Sequence, residues 1–119
     1  MNEELKSETL LHDVLGTEYE IMFGTKEKIG LSEEHMGLCK VYAKQILVHI
    51  GADDCDEKEL KKRTEEIVAH ELFHAYLNES GIEIDEEVEE VIANFYTKNW
   101  RKMNNSILEV LGRSGYLNK

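Results

Sequence analysis

Residues 67–76 read Ile67-Val68-Ala69-His70-Glu71-Leu72-Phe73-His74-Ala75-Tyr76. The apolar residues at 67, 68, 72 and 75 return at helical spacing, so this stretch predicts a buried helix face. Working outward, Asp56 has Glu59 three places on, a capping-box spacing, and Gly81 is a natural stop. A long helix is therefore expected over about 57–79. A second is expected from near Asp85, with Val88, Val91, Ile92 and Phe95 on one face. It should break near Asn104-Asn105 and leave a short C-terminal helix.

Towards the N-terminus, 36–41 and 45–50 read as the two strands of a β-hairpin around Tyr42-Ala43-Lys44. Gly51-Ala52-Asp53-Asp54 ends that pattern. The stretch 24–34 reads as a polar, glycine-punctuated loop, and 19–23 as a short strand. Residues 2–15 predict a helix, with Leu5, Leu10, Leu11, Val14 and Leu15 on one side and Gly16 as its stop. The order helix, strand, hairpin, helix, helix is an α+β layout. The expectation is one domain over 1–119, a small antiparallel sheet packed on a helical hairpin.

The chemistry sits in the quoted stretch. His70 and His74 are four apart, so on a helix both imidazoles lie on one face and can reach one ion. Neutral imidazole suits zinc, with Zn–N bonds of about 2.0–2.1 Å. Glu71, beside the first histidine, is placed to act on a metal-held water as general base rather than to ligate. A bare HExxH also arises by chance; the uncharged apolar flanks Ile67, Val68, Leu72, Phe73 and Ala75 argue against that here. A catalytic zinc normally takes a third protein ligand. No histidine follows His74, so the acidic run Glu83, Asp85, Glu86, Glu87, Glu89 and Glu90 supplies the candidates. Most of these acids should simply offset a helix dipole. In a helical hairpin turning near Gly81, the position level with His74 falls between Glu86 and Glu90, which share a face.

Composition bounds the rest. Hydrophobic residues make up 41% and charged residues 33%, a globular balance. A net charge of −11 argues against a nucleic-acid backbone or an anionic membrane as partner. Two cysteines, Cys39 and Cys55, are too few for a small secreted disulfide scaffold. With an acidic start and no long apolar run, the expectation is a cytoplasmic chain with reduced thiols. Tyr76 and Tyr96 read as core aromatics. His12, His35 and His49 show no ligand spacing.

These residues resemble the gluzincin class of zinc peptidases, in which HExxH on one helix is completed by a glutamate on the next. More closely, 70–81 and 86–94 are similar to small metallopeptidases of phages and other mobile elements, related to the ImmA/IrrE-like group. The likeness covers about 36–100, the hairpin strands included. It implies a ligand glutamate, an acid or Asn four later, and a small residue seven later. Glu86, Glu90 and Ala93 fit, which makes Glu86 the metal ligand and Glu90 its supporting partner; Glu90 with Asn94 is the competing register. The resemblance further implies Zn2+ as cofactor and a protein or peptide substrate lying along one edge strand of the 36–50 hairpin. The expected activity is zinc-dependent peptide-bond hydrolysis. The alternative is a non-catalytic, zinc-stabilised binding or regulatory module.

Overall fold

In a computed structural model, which describes residues 7–51 and 56–114, seven elements follow one another. They are β1 (Glu8–Val14), β2 (Thr17–Gly24), α1 (Lys26–Ile29), β3 (Gly37–Lys40), β4 (Gln45–His49), α2 (Glu57–Ser80) and α3 (Glu86–Ser114). The layout is α+β, as expected. The four strands form one sheet in the order β1-β2-β4-β3. Its outer pairs are antiparallel, but β2 and β4 run parallel, so the sheet is mixed rather than wholly antiparallel.

That parallel pair exists because the segment expected to open the chain as a helix is a strand. Leu15 (φ 51°) and Gly16 (φ 91°) form a two-residue turn with both φ positive, the hairpin turn that matches strand twist. Val14 then pairs with Thr17, and the register runs on to Glu8 opposite Phe23. Leu10 and Leu11, adjacent in sequence, go to opposite faces of this edge strand, and both stay exposed. Their helical spacing with Val14 and Leu15 was local coincidence, overridden by pairing. The part of the expected 2–15 helix that falls on residues 2–6 lies outside the described residues.

The sheet buries both faces at its centre. On one face Val14, Tyr19, Ile21, Ile46 and Val48 pack against Ile67 and Ala75 of α2. On the other, Leu47 packs with Ile29 and Leu31, so the stretch 24–34, expected to be a polar loop, instead contains α1 and covers this face. Ile46, Leu47 and Val48 are each buried, as an interior strand requires.

The two long helices follow their sequence signals closely. Asp56 accepts from Glu59 N at 2.8 Å and Gly81 closes α2 with φ 79°. α3 begins where Asp85 O accepts from Glu89 N, and it runs unbroken through Asn104-Asn105 to Ser114. A short asparagine pair costs too little helix propensity to break a helix on its own. The end of α2 is clamped to the sheet by Glu79, which accepts from Thr17 Oγ1 (2.9 Å), Tyr19 OH (2.7 Å) and Lys44 Nζ (2.7 Å). These donors hold the Glu79 carboxyl down at about 2, with the Lys44 bond first among them.

Candidate metal centre

α2 and α3 lie antiparallel, with His70 beside Thr97 and Glu65 beside Arg101. His70 and His74 both face α3, and their Nε2 atoms stand 3.3 Å apart. One carboxylate oxygen of Glu90 lies 3.2 Å from His70 Nε2, the other 3.4 Å from His74 Nε2. His70, His74 and Glu90 are the group among the described residues whose donor atoms converge as metal ligands would.

Glu86, the ligand favoured above, is not in that group. It opens α3 and is exposed, one helical turn before Glu90 and level with the last turn of α2. The four residues Ile82–Asp85 carry the chain across before α3 begins, so the position level with His74 falls late in the window. Asn94, the support expected for Glu90 in the second register, is exposed on α3.

The far nitrogens of both imidazoles are tied off. His74 Nδ1 donates to Glu89 Oε2 at 2.6 Å. Thr97 Oγ1 gives its only proton to Ala93 O (2.7 Å), and so accepts from His70 Nδ1 at 3.2 Å. Each bond fixes the tautomer that leaves Nε2 with a lone pair, the usual device by which a ligating histidine is oriented. Burial lowers the His70 pKa and so favours neutral imidazole; Glu90 pulls the other way, and repulsion from His74 adds to the lowering. Two lone pairs and a carboxylate within about 3.4 Å of one another repel unless a cation or proton lies between them. A zinc with two Zn–N bonds of about 2.05 Å at a tetrahedral angle would set the nitrogens about 3.3 Å apart. The donor set fits that ion.

Glu71, next to His70 on α2, lies under the sheet beside β3. It is 8% exposed, and its pKa is raised to about 7. Burial is the main cause; Glu90 adds to it, and His74 opposes it. Its carboxylate lies against Gly37 in β3, where a Cβ would come within 3.0 Å of Oε2 and 2.5 Å of Ile67 Cγ2. Only glycine lets β3 approach α2 this closely. A cavity of about 450 Å³ opens here, lined by His70, Glu71, Thr97, Gly37, His35 and Arg63 among others.

Three supporting residues escaped the sequence reading. Glu89 was hidden in an acidic run where each member looks alike. Thr97 lies seven residues after Glu90, a spacing that would have found it had Glu90 been taken as the candidate ligand. His35 reaches the cavity from the loop before β3, held by Ser32 Oγ at 2.8 Å. Tyr76 and Tyr96 line a separate apolar groove of about 540 Å³ with Phe73 and Trp100, apart from the cavity holding Glu71. Burial pushes the Cys39 thiol up to about 12, so it is an unreactive core group; Cys55 lies outside the described residues.

Comparison with protein-family models, with curated proteins and with solved structures finds no match to this chain.

Proposed function

We propose that this chain is a zinc-dependent peptidase whose metal is held by His70, His74 and Glu90, with Glu71 as general base. The observation that carries the reading is the convergence of two Nε2 lone pairs and a carboxylate within 3.2–3.4 Å, each imidazole being pinned from behind. Three protein donors leave one position for water or substrate, the arrangement of a catalytic rather than a structural zinc. That count favours the enzyme over the zinc-stabilised module.

Bound zinc would make water acidic enough to ionise near neutral pH and would polarise a carbonyl. The chain's own residues supply the rest. Glu71, with a pKa near neutrality, can take a proton from the attacking water and return it to the leaving amine. A dication beside it would draw that pKa back down, keeping the carboxylate ready to accept. Gly37 keeps the strand backbone close to the Glu71 carboxylate. β3 is an edge strand, so its outer backbone groups are available to an extended peptide. No helix among the described residues is long and apolar enough to cross a membrane. A cytoplasmic location is part of the proposal and rests on the sparse cysteines.

The test is cleavage of a peptide library by zinc-loaded protein, read by mass spectrometry. Wild type should produce defined cuts and Glu71→Gln, still carrying zinc, should produce none, since an amide cannot accept the proton. Equal cutting by both would remove Glu71 from the reaction. Zinc uptake with no cleavage by either would favour the module.

A further inference from the structure

The sheet has two edges: β3, of four residues, and β1, of seven. β1 pairs with β2 over its whole length in an unbroken register, and no described residue pairs with its far side. Edge strands are usually blunted by a proline, a bulge, a lysine or a covering element, because their free N–H and C=O groups template pairing with another chain. Among the described residues β1 has none of these, and Glu8 to Asp13 are all exposed.

The turn fixes which backbone groups the free side offers. A two-residue hairpin makes Val14 and Thr17 a hydrogen-bonded pair, so alternate residues of β1 turn their N–H and C=O away from β2. These are Thr9, Leu11 and Asp13. The next strand agrees: Glu20, opposite Leu11, gives its own N–H to Lys44 O, on the side away from β1.

We infer that β1 is the self-association edge of the chain, and that two copies pair there antiparallel about a two-fold axis at Leu11. Two four-stranded sheets then become one of eight. This register pairs every residue of β1 and is self-complementary, as an isologous contact demands. Leu11, 65% exposed, meets Leu11 of the second copy, and Thr9 meets Asp13, each pair exchanging both backbone bonds. On the other face Leu10 meets His12, and Glu8 meets Val14. Charge agrees: no acid lies opposite an acid, and Glu8 comes diagonal to His12 of the second copy, within its reach. The neighbouring two-fold registers, centred on Leu10 or His12, leave Asp13 and Val14, or Glu8 and Thr9, past the end of the partner strand. A net charge of −11 opposes pairing at long range, but in about 0.15 M salt that repulsion is screened beyond about 8 Å. β3 lies at the opposite edge, so pairing through β1 leaves it and the cavity beside Glu71 open. The inference does not depend on the metal or on peptidase activity.

Sedimentation equilibrium of the full chain in about 0.15 M salt tests it. Wild type at tens of micromolar should show about twice the 13.8 kDa chain mass. Leu11→Lys sets like charges opposite each other at the axis, and should sediment as a single chain with its circular dichroism unchanged. Oxidative cross-linking reads the register independently. Opposed Leu11 positions lie about 5.5 Å apart at Cα, within disulfide reach, so Leu11→Cys should link two copies. Glu8→Cys, whose copies lie about 20 Å apart along the paired strands, should link no more than wild type. A monomeric wild type overturns the proposal, as does an open-ended assembly of more than two chains. So does a Leu11→Lys chain that remains a dimer, or Glu8→Cys linking as readily as Leu11→Cys.

Discussion

Glu71 is a carboxylate placed where folding alone would not put one. It is buried, and no hydrogen bond contributes to its raised pKa. The sign of its effect on stability follows. Between the unfolded value of 4.5 and about 7 the unfolded chain ionises and the folded chain does not, so metal-free stability falls as pH rises through that window. Glu71→Gln removes the burden. It should stabilise the metal-free protein by about 3 kcal/mol at pH 8, and the gain should shrink below about 1 kcal/mol near pH 5. Urea unfolding of both proteins in chelator at the two pH values measures this; a gain independent of pH would deny the cause. Gly37 makes a complementary case. Gly37→Ala must push against Ile67 and the Glu71 carboxylate at once. It should lower the unfolding midpoint and impair hydrolysis more than zinc affinity, since it displaces the base and not the ligands. Parallel activity and zinc titrations would separate the two, and unchanged activity would mean that the backbone gives way.

At the scale of elements, the helical hairpin was legible because its signals are local: Asp56 with Glu59, Gly81, and the histidines four apart. The α+β class and the β3–β4 hairpin were legible for the same reason. β1 was not, because a strand at a sheet edge with Leu10 and Leu11 both exposed carries no clean alternation. The parallel β2–β4 pairing depends on non-local contacts that no window of sequence contains. The candidate metal site divides the same way. His70, Glu71 and His74 are fixed by spacing within one helix, whereas choosing Glu90 over Glu86 needs the length of the 82–85 crossing to within one turn. Glu79 joins the end of α2 to β2 and Lys44, a link that sequence reasoning had no reason to draw. Its carboxyl, held at about 2, contributes stability that is present above the unfolded value of 4.5 and lost as pH falls towards 2. Glu79→Gln should therefore lower the thermal midpoint at pH 7, with the deficit narrowing as pH falls through that window. A deficit that persists undiminished in acid would assign the effect to packing instead.

The whole molecule is a small sheet carrying one helical hairpin, and the candidate metal site, His70, His74 and Glu90, lies between the two helices of that hairpin. α2 is anchored to the sheet through Ile67, Ala75 and Glu79, while α3 touches the rest of the chain chiefly through α2. An ion held by His70, His74 and Glu90 would therefore pin α3 to α2, and zinc should raise the thermal midpoint by an amount that grows with the logarithm of free zinc above its Kd. The most direct test is a zinc competition titration on wild type, Glu90→Ala and Glu86→Ala. The expected result is about one zinc per wild-type chain, most of the affinity lost in Glu90→Ala, and near-wild-type binding in Glu86→Ala. A wild type that takes up no zinc, or a loss in Glu86→Ala that exceeds that in Glu90→Ala, would contradict the assignment of the site.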